Sequence, residues 1–166
     1  MMPDIECRPV QNRAELRASF ALRKKVFVEE QQLFSRTDRD RHDAHAIHII
    51  ALCSGSIVGT VRVHRQKAGV WLGSRLAVLK QFRGRAGKLL IQKAVEIVRK
   101  NGARQFRAHI QLRNVPLFRR LGWSQDGPVF SYHGQPHQTM EAFSSKQADS
   151  DQQSAYNRKS PLAAEC

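Results

Sequence analysis

The chain has 166 residues and a net charge of +14, with 28 Lys and Arg against 14 Asp and Glu, a length that suits one domain with a sizeable core. It has no apolar run long enough to cross a bilayer as a helix. Acids at Asp4 and Glu6, with no apolar stretch beside them, exclude a secretory signal pattern at this end. Three cysteines, Cys7, Cys53 and Cys166, show no paired spacing, so free thiols in a cytoplasmic protein are the expectation. The charge is unevenly placed. Between Ala46 and Gln125 stand 16 Lys and Arg and one acid, Glu96, while Glu29, Glu30, Asp38, Asp40 and Asp43 cluster just before. Such a basic region suits a polyanion or a compact polyphosphate. No nucleic-acid motif is present, and no aromatic residues alternate with the basic ones as stacking platforms require, which argues against nucleic acid.

In chain order, Ile5 to Val10 alternates loosely and predicts an edge strand. Asn12-Arg-Ala-Glu15 has the form of a capping box. The helix it opens carries Leu16, Phe20, Val26 and Phe27 on a broadly apolar side. Gln31 to Ala44 is polar and reads as a long loop or a second short helix. Ile47–Cys53 and Ile57–His64 predict two strands joined at Ser54-Gly55-Ser56 as a hairpin. A third strand follows over Val70–Val78. A basic loop is predicted next, with Arg83, Gly84, Arg85, Ala86, Gly87 and Lys88. The helix beyond it runs to Lys100 with a wide apolar face, and Gly102 suits its C-terminal end. Gln105–Gln111 reads as a strand with Phe106, Ala108 and Ile110 on one face and Arg107, His109 and Gln111 on the other. Asn114 is placed to cap a short helix with Pro116 in its first turn and Leu117, Phe118 and Leu121 on its apolar side. Val129–Tyr132 and Thr139–Phe143 predict a final antiparallel pair around His133-Gly-Gln-Pro-His137. A domain over residues 1–143 is therefore expected, with a Ser-, Gln- and Asp-rich tail over 144–166 that reads as disordered.

The most informative stretch is Leu76-Ala-Val-Leu-Lys-Gln-Phe-Arg-Gly-Arg-Ala-Gly-Lys-Leu-Leu-Ile91. A small-residue loop entering a helix N-terminus leaves backbone N–H groups pointing outward at the positive end of the helix dipole, which suits phosphate. Arg83, Arg85 and Lys88 add full charges. The order strand, basic loop, helix, strand, Asn114, short helix, Gly122-Trp123 resembles the GCN5-related N-acetyltransferase family, whose Arg/Gln-x-x-Gly-x-Gly/Ala loop holds the pyrophosphate of acetyl-coenzyme A. Two registers fit, one starting at Arg83 and one reading Gln81-x-x-Gly84-x-Ala86. Within the family, Phe27-Val-Glu-Glu-Gln31 and His133-Gly-Gln-Pro-His137 resemble a bacterial subfamily associated with nitrogen starvation. Arg23-Lys-Lys-Val-Phe27 is more distantly similar to acyl-homoserine-lactone synthases.

The resemblance implies an α/β (α+β) fold: a central, mostly antiparallel mixed sheet with flanking helices and a splayed strand pair. It implies acetyl-coenzyme A as co-substrate and a small-molecule or peptide amine as acceptor. A longer-chain N-acyltransferase and a non-catalytic acyl-coenzyme A sensor or nucleic-acid module are the alternatives. No membrane association is expected, and a homodimer is allowed. For the cofactor it implies Leu76, Ala77 and Val78 with the loop residues Arg83 to Lys88, together with Asn114 and Phe118. Phe118 stands where the family often carries a Tyr acid, and it cannot donate a proton; Tyr132 is a distant substitute. For the base, His109 has a suitable ordinary pKa and lies on a polar strand face; Glu29 and Glu30 are the other candidates. His42-x-x-His45-x-x-His48 has no completing cysteine or carboxylate, so no metal is expected.

Overall fold

The computed structural model describes residues 3–144. The tail expected over 144–166 lies, apart from Ser144, outside the described residues. Among the described residues eight strands form one sheet: β1 (Ile5–Pro9), β2 (Ile47–Cys53), β3 (Ser56–Lys67), β4 (Val70–Val78), β5 (Gln105–Gln111), β6 (Ser124–Gln125), β7 (Phe130–Tyr132) and β8 (Gln135–Phe143). Their order is β1-β2-β3-β4-β5-β8-β6, with β7 also on β8. Every pairing is antiparallel except β4 with β5. That parallel pair needs a crossover, and α2 (Arg85–Lys100) supplies it.

The helices cover both faces. Leu90, Ile91, Ala94 and Val98 of α2 are buried with Ile49, Val63, Trp71 and Phe106 of the sheet. The short α3 (Val115–Arg120) adds Val115 and Phe118 to the same core. On the opposite face α1 (Arg13–Arg23) runs into a π-helical segment, Lys24–Glu30, and Leu22, Val26 and Phe27 cover Ala77. Burying each of these large side chains contributes roughly 1.5–3 kcal/mol, so two-sided coverage fixes the sheet between its helices. Gly73 permits one close approach: a Cβ there would lie 3.0 Å from Phe106 Cζ, at the last β4–β5 pair.

Some expectations shift. Arg85 to Lys88 form the first turn of α2 and not a loop; Gly84 is the N-cap at φ 90°, a conformation that favours glycine. The Asn12 side chain accepts from Glu15 N–H, but Glu15 returns to Gln11 N–H and to Arg8, leaving the capping box half made. Asn114 stands at the N-cap of α3, yet its side chain makes no capping bond. Gln31–Ala44 is a loop closed by one 3₁₀ turn, Arg41–Ala44, capped by Asp40. The last hairpin turns at His133-Gly134 alone, both at positive φ (48° and 74°), so Gln135 to His137 belong to β8.

Candidate active site

β4 and β5 pair from Val70–Gln105 to Gly73–Ala108 and then part. Beyond that point β4 continues only against β3, and β5 only against β8. The facing edges of the parted strands therefore carry backbone N–H and C=O groups that no ladder satisfies, an arrangement suited to an extended ligand. The parting coincides with a bulge: Arg62 faces Ser74 and Thr60 faces Ala77, so Arg75 and Leu76 together oppose Val61. Arg75 sits at φ 55°, rare for a non-glycine residue.

The bulge is held by charge. Arg75 donates to the Asp38 carbonyl at 3.0 Å and to Asp40 Oδ2 at 3.2 Å, and its guanidinium lies 4.6 Å from the Phe34 ring centroid. Arg23, 1% exposed, binds Asp38 at 2.6 Å and Asp43 at 2.7 Å. Arg62 reaches Asp40 at 2.6 Å, Asp43 at 3.1 Å and Ser74 Oγ at 3.0 Å. Three arginines from α1, β3 and β4 thus pin the 31–44 loop over the sheet. The Arg23 and Arg62 guanidiniums hold the Asp43 carboxyl below the usual carboxylate range against the opposing effect of burial.

A cavity of about 130 Å³ occupies the parting and is lined from both sheet faces. On the α2 and α3 side Ile91, Ala94, Asn114, Phe118 and Trp123 line it. Phe118 meets Trp123 edge to face at 5.0 Å. On the α1 side stand Phe27, Phe34, Arg75, His109, Tyr132 and His137. His109 Nδ1 lies 2.9 Å from Thr139 Oγ1, and Phe130 meets the ring edge to face at 5.2 Å. The residue is exposed, yet partial desolvation of its ring lowers its pKa, assisted by the charges of Arg107 and His137. A neutral imidazole whose Nδ1–H donates to Thr139 leaves Nε2 with a lone pair, the form a general base needs.

At the far end of β4, no side chain caps the N-terminus of α2. A Cβ on Gly87 would meet nothing within 4 Å, so open space lies over the first turn. Lys88 is exposed there, and Arg85 is too, donating to the Pro3 carbonyl. Arg83 turns away from this turn: it binds Glu30 at 2.6 Å and the Val78 carbonyl at 3.2 Å. Glu29 and Glu30 do not line the cleft with His109; they line a separate hollow with Lys25, Val26, Leu79, Lys80 and Gln81. Among the described residues no group of three His, Cys, Asp or Glu could hold a metal. His42 and His64 stack at 4.2 Å with an interplanar angle of 14°, and in-plane lone pairs of parallel rings cannot converge on one ion. Sequence reasoning missed the π-helical segment that carries Phe27 to the cleft and the loop residue Phe34. It also did not pair Arg23 with the acids it singled out, although one buried arginine in an apolar helix face is a usable signal.

Residues 13–143 match a family model described as an acetyltransferase (GNAT) domain. The chain belongs to the GCN5-related N-acetyltransferase family. An acetyltransferase-named protein of Bacillus subtilis (strain 168) is 30% identical over 151 residues, covering 86% of this chain and 97% of that one. Among solved structures, Escherichia coli ElaA superposes with a TM-score of 0.74 at 22% identity, covering 83% of this chain and 99% of that one. The acyl-homoserine-lactone synthase LasI superposes at 0.67 with 15% identity, covering 84% and 89%. At these identities the structures show the shared fold. The GNAT domain and its acetyltransferase-named relative make this chain an N-acetyltransferase, and the sheet order with its parted strands is the fold that membership implied.

Proposed function

We propose that the protein transfers an acetyl group from acetyl-coenzyme A to a primary amine. The observation that carries this reading is the parting of β4 from β5 at the Arg75–Leu76 bulge, with the uncapped N-terminus of α2 beyond the end of β4. Backbone groups of Leu76, Ala77 and Val78 would hold the pantetheine arm. The amides of the first α2 turn, with Lys88 and Arg85, would hold the pyrophosphate. The thioester supplies the activated acyl group.

The chain's own residues have three tasks. A protonated amine must lose a proton before it attacks, and His109, held neutral, takes it with Thr139 fixing the ring. Developing charge on the thioester oxygen needs a donor, and the unladdered edge of β4 presents backbone N–H groups. The leaving sulfur gains from a proton. Phe118 cannot give one, whereas Tyr132 is a hydroxyl lining the same cleft and is the candidate donor.

Calorimetric titration with acetyl-coenzyme A, followed by a thiol-release assay over an amine panel, tests the reading. Gly87→Val should keep the fold, because its Cβ meets nothing within 4 Å, and should weaken coenzyme A binding by about tenfold or more, or ~1.4 kcal/mol. Unchanged affinity would remove the phosphate site from the first turn of α2. A second reading, transfer of a longer acyl chain, draws on the apolar walls at Ile91, Phe118 and Trp123. Comparing acetyl- with octanoyl-coenzyme A in the same assay separates the two.

A further inference from the structure

The α1-side half of the cleft has two properties that together select an acceptor. Its walls are aromatic: Phe27, Phe34 and Tyr132, with the rings of His109 and His137. These rings are mutually arranged rather than scattered. Phe27 and Phe34 stand edge to face at 6.3 Å, and Tyr132 meets His137 edge to face at 5.2 Å. His133, at the tip of the β7–β8 hairpin, reaches Phe34 at 4.4 Å. The 31–44 loop and the hairpin thus meet across the opening and set a lateral limit on what enters.

The second property is charge. Among the described residues, no Asp or Glu lines the cleft. Asp38, Asp40 and Asp43 are engaged by Arg23, Arg62 and Arg75. Glu30 is engaged by Arg83 in the separate hollow, and Glu141 accepts from Gln105. The full charges that do border this half are cationic: Arg75 over Phe34, and Arg107 close enough to depress the pKa of His109. Both arginines are already paired, Arg75 with Asp38 and Asp40 and Arg107 with Asp126 at 4.0 Å, so a second ammonium on the acceptor would find no free carboxylate in the cleft to replace its lost hydration, at a cost that low local dielectric magnifies. Rings, in contrast, are matched by rings, and the face of an aromatic wall tolerates one ammonium.

We infer that this half of the cleft is an acceptor subsite for a compact arylalkylamine carrying a single ammonium, and that it disfavours polyamines and the lysine side chains of basic peptides. The inference rests on the acyl-transfer reading for its chemistry, but its binding preference can be read without turnover.

Calorimetric titrations of phenethylamine, spermidine and a lysine-rich peptide into the full-length protein, with and without saturating coenzyme A, decide it. Phenethylamine should bind about tenfold more tightly than either competitor, the order expected from one or two ring contacts. Tyr132→Ala, at an exposed hairpin position, should weaken phenethylamine several-fold, while Tyr132→Phe should restore the affinity. Spermidine or peptide binding as tightly as phenethylamine overturns the inference, as does phenethylamine affinity that ignores Tyr132→Ala or no binding of any amine. A protein that binds no coenzyme A, yet keeps the amine preference, would sink acyl transfer and leave the subsite standing.

Discussion

His109 joins two facts at one side chain. Its ring is under-solvated beside Arg107 and His137, so its pKa falls below the ordinary histidine value, and its Nδ1 is held by Thr139. The neutral base is then present across the physiological range. If His109 accepts the amine's proton, kcat/KM should rise with pH through an ionisation below the ordinary value of about 6.5. His109→Ala should remove that ionisation. Thr139→Val should keep it but lower kcat, because the ring loses the partner that orients it. A His109→Ala enzyme with an unaltered pH profile would rule the residue out. Arg23 is decisive for folding instead. Fully buried between Asp38 and Asp43, it cannot be removed without taking the shortest partner from two buried carboxylates, which keep only the longer contacts to Arg75 and Arg62. Arg23→Met should cost about 3–5 kcal/mol, read as a lowered urea midpoint.

Elements were legible in the sequence where a single period dominates. Strict alternation placed β5 at its observed bounds, and the wide apolar face announced α2. The family's loop spacing pointed to residues 83–88 but concealed that Arg85 to Lys88 are helical, because Arg85-Ala-Gly-Lys88 carries no capping side chain to mark a start. The two-residue β6 is too short for any periodicity to register. The bulge in β4 was invisible for another reason. A positive φ at Arg75 is imposed by partners from α1's following loop, distant in sequence, and nothing local favours it. That origin can be tested by separating backbone from side chain. Arg75→Gly and Arg75→Ala both lose the bonds to Asp38 and Asp40, but only glycine tolerates φ 55° without strain. The glycine variant should therefore be more stable than the alanine variant by ~1 kcal/mol in denaturant unfolding. Equal stability would mean that the bulge relaxes once its clasp is gone, and both variants should then lose kcat together.

For the molecule as a whole, acid stability follows from histidines held in the neutral form on a strongly cationic chain. His64 is 4% exposed with Nδ1 unpartnered; burial, then His42, Arg62 and His45, lower its pKa from 6.5 to about 4, while Asp40 opposes. His48 and His109 are lowered in the same direction, burial being the first cause in each. A depressed histidine pKa means that the unfolded chain takes up a proton before the folded chain does. Stability is then full above the unfolded value and falls as pH drops from 6.5 toward 4, with His64 alone accounting for roughly 3 kcal/mol at most. Asp40, Asp43 and Glu15 are lowered in the folded state by their arginine and backbone partners, so their losses come later, at still more acid pH. Urea midpoints measured from about pH 7 to about pH 4 should decline steadily before any carboxylate of the arginine clasp is protonated. His64→Gln has no proton to gain and should flatten that limb without abolishing it, because His48 and His109 still contribute. A variant whose midpoints fall as steeply as those of the parent would show that His64 is not where the folded chain refuses the proton.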